Sequence, residues 1–177
     1  METIENLKYM DIGDNDKLTN AQGKELLQEM KIQDYNRWRI ENLTLRPDFS
    51  CESFSGKDLS GAYLNGVNFT RSNLSNCNLI KTNLVQADLV EADLEGANLS
   101  YALLMYCDMR DCNLANADLT RTNLMWANLQ NSNLTNSKIA RTNFVEANLT
   151  NAKVPDIDKK SVFLKFAKLD KTIWGLK

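Results

Sequence analysis

Asp88, Asp108, Glu91 and Asp111 are the residues of this 177-residue chain whose type and spacing come nearest to acid–base chemistry. Paired carboxylates work as acid and base when their surroundings push them apart in proton affinity, which needs a cleft. Arg71 and Arg110 are close enough in the sequence pattern to balance these four, so they read as a solvated charged face. The chain has no His, which removes the commonest general base, pH switch and metal ligand. Cysteines stand at 51, 77, 107 and 112, with no CxxC pair. Neither a Ser/His pair, a glycine loop fit to cradle phosphate nor a cluster of metal ligands is present. The expectation is therefore a non-enzymatic protein: no catalytic residues, no metal, no cofactor and no small-molecule substrate.

What must position these residues is a repeat. From Phe49 to Val154 every fifth residue is apolar, twenty-two positions without a gap. Two residues before each centre stands, in most pentads, a small residue, as at Ala62, Ser72, Cys77, Thr82 and Ala87. The residue immediately before the centre is usually Asn or Asp. A period of five fits neither a helix nor a plain strand. It requires a chain that turns a corner every five residues, with the centre and the small residue inward and the other three toward water. Asn and Asp suit such turns because their side chains bond nearby backbone.

The pattern A-[D/N]-L-x-x, written here as ADLVEADLEGANLS and NADLTRTNL, resembles the pentapeptide-repeat family over residues 49–154. The resemblance implies an all-β solenoid: a right-handed quadrilateral β-helix of about five to six coils, with four pentads and so twenty residues to each coil. At ~4.8 Å between coils the rod would be ~26 Å long. The family is widespread in bacteria and abundant in cyanobacteria, and most members have no assigned activity.

With twenty residues per coil, residues twenty apart stack in columns. Phe49 should stack on Phe69, and Leu74, Leu94, Leu114 and Leu134 should form a ladder. Thr82, Thr122 and Thr142 fall in the small inward slot and need backbone acceptors for their hydroxyls. Cys77, Cys107 and Cys112 occupy the same kind of slot and read as packing residues, whereas Cys51 falls outside. One outer face departs from the polar rule. It gathers Val85, Leu103, Met105, Tyr106, Met125, Trp126 and Val145, beside a strip of Lys81, Tyr101, Arg121 and Arg141. Exposed apolar patches of a few hundred Å² mark contacts, and Trp, Tyr, Met and Arg are enriched there. The candidate interaction face is thus Val85, Tyr101, Leu103, Met105, Tyr106, Arg121, Met125, Trp126, Arg141 and Val145, unless a terminal segment of the same chain covers it.

The ends divide the chain further. Residues 1–18 read as a flexible segment, 19–46 as a helical N-terminal cap, 47–154 as the solenoid and 155–177 as a loop and capping segment. In the cap, Thr19 and Gln22 fit a capping box, Leu26, Leu27 and Met30 form a stripe, and Asp34–Ile40 forms a second helix with Trp38 and Ile40 as plugs. Beyond Pro155 the tail fits either a partial coil, centred on Leu164, Leu169 and Trp174, or a basic amphipathic helix. With a net charge of −2 and no secretion signal or apolar membrane-length run, the expectation is a cytoplasmic protein whose partner is another protein or a second copy, not a membrane or nucleic acid. Two alternatives follow from the resemblance: a DNA mimic that inhibits or protects DNA gyrase, and a regulator in cyanobacterial-type signalling. Residues 49–154 hold ten Asp/Glu against eight Lys/Arg, a poor copy of DNA.

Overall fold

The computed structural model describes residues 21–156 and 159–175. From Asp48 onward one backbone unit recurs. The residue before each apolar centre forms a parallel bridge with the residue twenty positions on, so that Asp48, Asn68, Asp88, Asp108, Asn128 and Asn148 make one continuous column. Residues 48–154 and 162–175 are therefore wound as a solenoid, with the backbones of successive coils hydrogen-bonded in register.

The hydrogen bonds of one pentad show why the sequence must repeat. Asn68 N–H donates to Pro47 C=O, Phe69 N–H to Asp88 C=O and Arg71 N–H to Val90 C=O, three ladder bonds to the coils on either side. Ser72 N–H closes a turn on Phe69 C=O. That leaves Thr70 N–H, which donates to the side-chain Oδ1 of Asn68 at 2.9 Å. The Asn or Asp thus supplies the one acceptor that the backbone does not, which completes the accounting a partly buried segment needs. The same bond recurs at Asp48–Ser50, Asn83–Val85, Asn98–Ser100, Asn123–Met125 and Asn148–Thr150. At Asp48 the Ser50 backbone N–H also holds the carboxyl below the usual range. The corner itself lies two residues past the centre, where the backbone is left-handed: Gly66 at φ +68°, but also Arg71 at 57°, Lys81 at 56° and Trp126 at 59°.

Inside, the centres form an unbroken apolar spine, fully buried from Phe49 through Leu134. Each such Leu contributes roughly 1.5–3 kcal/mol before entropy. Phe49 stacks on Phe69 with centroids 5.3 Å apart, and Phe54 meets both edge-on. Hydroxyls in the small slot are satisfied as expected: Thr82, Thr122 and Thr142 donate to the carbonyls of Leu59, Leu99 and Leu119. The thiols of Cys77, Cys107 and Cys112 make the same bond, at 2.8 Å, to Phe54, Leu84 and Leu89. Burial pushes Cys77 up to about 11 and Cys107 up to about 12 from an ordinary value of 9.0, and Cys112 higher still. Cys51 is exposed.

The N-terminal end is covered by two helices, α1 (residues 21–28) and α2 (Ile32–Glu41). Asp34 in the first turn and Arg39 in the last complement the dipole of α2. Leu27 of α1 and Tyr35, Trp38 and Arg39 of α2 are buried. Ile40, expected as a plug, is 57% exposed; it lies on the far side of α2 from the Tyr35–Trp38–Arg39 stripe. Thr19 and residues 1–18 lie outside the described residues. Two cap side chains stand in for a missing coil. Asn36 donates to Gly61 C=O and accepts from Tyr63 N–H, and Arg39 donates to Asn65 C=O. They protect an edge that would otherwise present unpaired backbone groups.

At the other end the chain leaves its rhythm at Pro155, passes a short 3₁₀ turn at Lys159–Ser161 and returns in register. Phe163 and Lys168 bridge to Asn143 and Asn148, and β1 (Lys153–Val154) pairs in parallel with β2 (Ile173–Trp174). The tail is thus a partial coil and not an amphipathic helix.

These contacts predict that a bulky thiol reagent at pH 8 labels Cys51 on the native protein and reaches the other three only on unfolding, as read by mass spectrometry; labelling of all four in the native state would contradict their burial. The stability those three thiols hold is intact below about pH 9 and drains as pH rises through 11–12, because the unfolded chain ionises them first. Leu114→Ala in mid-spine should cost about 3 kcal/mol in denaturant unfolding.

Candidate interaction face

The bridges Tyr63–Asn83, Asn83–Leu103, Leu103–Asn123, Asn123–Asn143 and Asn143–Phe163 define one side of the solenoid. All ten residues expected of the contact face lie on it or on its adjoining corner. Val85, Met105, Met125 and Val145 form a half-buried floor. Tyr106, 52% exposed, and Trp126, 40% exposed, line one margin and stack with centroids 4.7 Å apart and planes 9° from parallel. Along the other margin, the Arg121 guanidinium lies 5.4 Å from the Tyr101 ring centroid. Arg141 stands one coil further on, exposed.

The same side carries Tyr63, in the column where the repeat places it, and residues at the far end that the sequence reading did not assign to it. Tyr63 stands at the cap end, and Phe163 and Phe166, the latter 72% exposed, extend the face at the other, with Lys165 over the Phe166 ring. The signal was present, since Leu164 restores the five-residue rhythm and places its neighbours in these columns. Residues 159–175 therefore lengthen the face and do not fold over it. Of the exposed large apolar side chains beyond the cap, Ile173 stands apart from this side.

The face breaks the rules that build the rod. Leu103 replaces the Asn or Asp that would accept from Met105 N–H. It also interrupts the side-chain ladder in which Asn143 donates to Asn123 Oδ1, so Asn123 has no such mate one coil earlier. Tyr101, Tyr106 and Trp126 occupy corners with φ of 61°, 61° and 59°, the same left-handed backbone as at the other corners, but place exposed aromatic rings there.

The carboxylates considered for acid–base work are arranged otherwise. Asp88 and Asp108 bridge in one column. Arg110 forks onto Asp108 at 2.6 and 2.8 Å, and Arg71 pairs with Glu91 at 2.8 Å. The Glu91 carboxyl is lowered by its Arg71 hydrogen bond, at the surface. Each acid is thus matched or solvated on a convex surface. Among the described residues there is no group of three or more His, Cys, Asp or Glu placed to hold a metal ion, and no helix long and apolar enough to cross a membrane.

A coil with parallel in-register ladders, a leucine spine and an Asn/Asp acceptor in each turn defines a β-helical solenoid. The family model for pentapeptide repeats matches eight copies over residues 53–89, 87–131 and 127–156, more than half of the chain, and the chain belongs to that family. Among solved structures, a pentapeptide repeat protein of the Arabidopsis thaliana thylakoid lumen is 33% identical with a TM-score of 0.50, over 63% of this chain and 73% of that one. A pentapeptide repeat protein from Nostoc is 35% identical over 50% of this chain and 76% of its own, with a TM-score of 0.41. A second Nostoc protein, involved in heterocyst differentiation regulation, is 21% identical over 71% and 73%, with a TM-score of 0.36. No curated protein matches by sequence.

Restoring the missing acceptor tests how this face was built. Leu103→Asn should stabilise the fold by about 1 kcal/mol, raising Tm by about 2–4 °C for a chain of this size. Thermal unfolding followed by circular dichroism measures it, and an unchanged or lower Tm would contradict the reading.

Proposed function

We propose that this chain is a non-catalytic rod that binds another protein, or a second copy of itself, through the Leu103–Met105–Tyr106–Trp126 face. The rod is read as a right-handed, four-sided β-helix of about five and a half coils, since bridging at a constant twenty residues accommodates four pentads per coil. The single observation that carries the functional reading is the stacked, exposed Tyr106–Trp126 pair beside the exposed Leu103. Exposed aromatic and methionine side chains grouped on a rigid surface supply contact area with little ordering cost. The leucine-filled interior leaves no room for a substrate, and the acidic residues are not gathered in a cleft. Gyrase mimicry gains no support from a face on which Arg121 and Arg141 project, because a copy of DNA must be acidic.

The double variant Met105→Asp, Trp126→Asp provides the test. It should keep the wild-type circular dichroism spectrum and lose whatever self-association light scattering detects, or whatever protein co-purifies with the wild type. If both oligomeric state and bound proteins are unchanged in the folded variant, the face is not a docking surface.

A further inference from the structure

The charge on this face identifies what it takes. The chain as a whole carries −2, yet Lys81, Arg121, Arg141 and Lys165 stand on this side and its corner against Glu146 alone. Elsewhere Arg71, Arg110 and Lys138 are each paired with a carboxylate, and the cations that form no ion pair among the described residues, such as Lys57, Lys153, Lys168 and Lys171, do not border an apolar floor. Among the described residues Lys81, Arg121 and Arg141 form no ion pair, and Arg121 lies instead over Tyr101. Three unpaired cations thus run down one margin of an apolar floor. The backbone of the face is already committed, because its N–H groups at 84, 86, 104, 106, 124 and 126 all donate to the next coil. A partner strand therefore has no edge to join, and recognition must run through side chains.

Resting on the docking reading above, we infer that the occupant is an amphipathic α-helix with carboxylates along one flank of its apolar stripe, lying parallel to the rod axis. The steps match: one helical turn rises 5.4 Å and one coil about 4.8 Å, so successive turns meet successive coils. The cationic margin spans three coil steps from Lys81 to Arg141, about 14 Å, which about ten helical residues cover. The apolar stripe seats on Met105, Met125 and Leu103 between the two aromatic margins, and its acidic flank faces Arg121 and Arg141. The tight Tyr106–Trp126 stack leaves no gap for a nucleobase to enter between the rings.

The experiment pans a random 16-residue peptide library displayed on phage against the immobilised full chain, against Met105→Asp/Trp126→Asp and against Arg121→Glu/Arg141→Glu. Enriched peptides should show apolar residues at i, i+3 or i+4, and i+7 with Asp or Glu beside them, and should lose both variants. A synthetic copy should bind Arg121→Glu/Arg141→Glu about tenfold more weakly at low salt, with the difference shrinking below about threefold in 0.5 M salt. Peptides that lose Met105→Asp/Trp126→Asp but lack acidic residues or helical spacing would overturn this inference and leave the docking face standing. Peptides indifferent to Met105→Asp/Trp126→Asp would remove the docking face as well. A fluorescent fifteen-residue oligo-dT bound by the wild type and released by Arg121→Glu/Arg141→Glu would assign the face to nucleic acid and overturn the helix.

Discussion

One hydrogen bond makes the rest of this structure possible: the backbone N–H that follows most apolar centres, donating to the Asn or Asp side chain two residues back. Four of the five N–H groups in a pentad find carbonyls, three in neighbouring coils and one across the corner. The fifth points along the outer surface, where no backbone acceptor lies. A short polar side chain at that place closes the account. Once it is closed, the chain can turn every five residues with no strand longer than a single bridge, and successive turns stack into a spine of buried Leu.

The corners explain the variability of the outer residues. Every pentad places the second residue after its centre in the left-handed region, and Gly, Asn, Lys, Arg, Glu, Tyr and Trp all occupy it. The ladder bond from that residue, as from Arg71 N–H to Val90 C=O, holds the conformation whatever the side chain. The surface can therefore be rewritten column by column while the core stays unchanged. Gly96 is a local exception, since a Cβ there would come within 2.6 Å of Asn76 Oδ1.

At the N-terminal end the same demand is met by different means. Asn36 and Arg39 imitate the carbonyls and amides of a coil that is not there. Arg39 is buried with no carboxylate beside it, and desolvation lowers its proton affinity. Its two bonds to carbonyl oxygens, of Asn42 and Asn65, offset part of that cost. Gly23 is required by the same packing, because a Cβ there would stand 2.2 Å from the Trp38 ring.

Much of this was legible from residues alone. An exact period of five, sustained from Phe49 to Val154, dictated a corner in every pentad and the inward thiols, while the Phe49–Phe69 stack and the side on which Leu103, Met105 and Trp126 meet follow from counting once the resemblance to pentapeptide repeats sets twenty residues to a circuit. What escaped counting lies where the period stops. Helix α2 turns Tyr35 and Arg39 inward and Ile40 outward, because its buried side is chosen by the Phe-rich end it must cover and by the edge carbonyl at Asn65. Past Pro155 the residue pattern suited a helix or a coil equally, and only the open ladder on Asn143, Asn148 and Lys153 decided for the coil, carrying Phe163 and Phe166 onto the contact face. Periodic backbone hydrogen bonding is a local property that a repeat writes out in full, whereas the fit of a cap or a tail depends on an edge formed by residues far away in the chain.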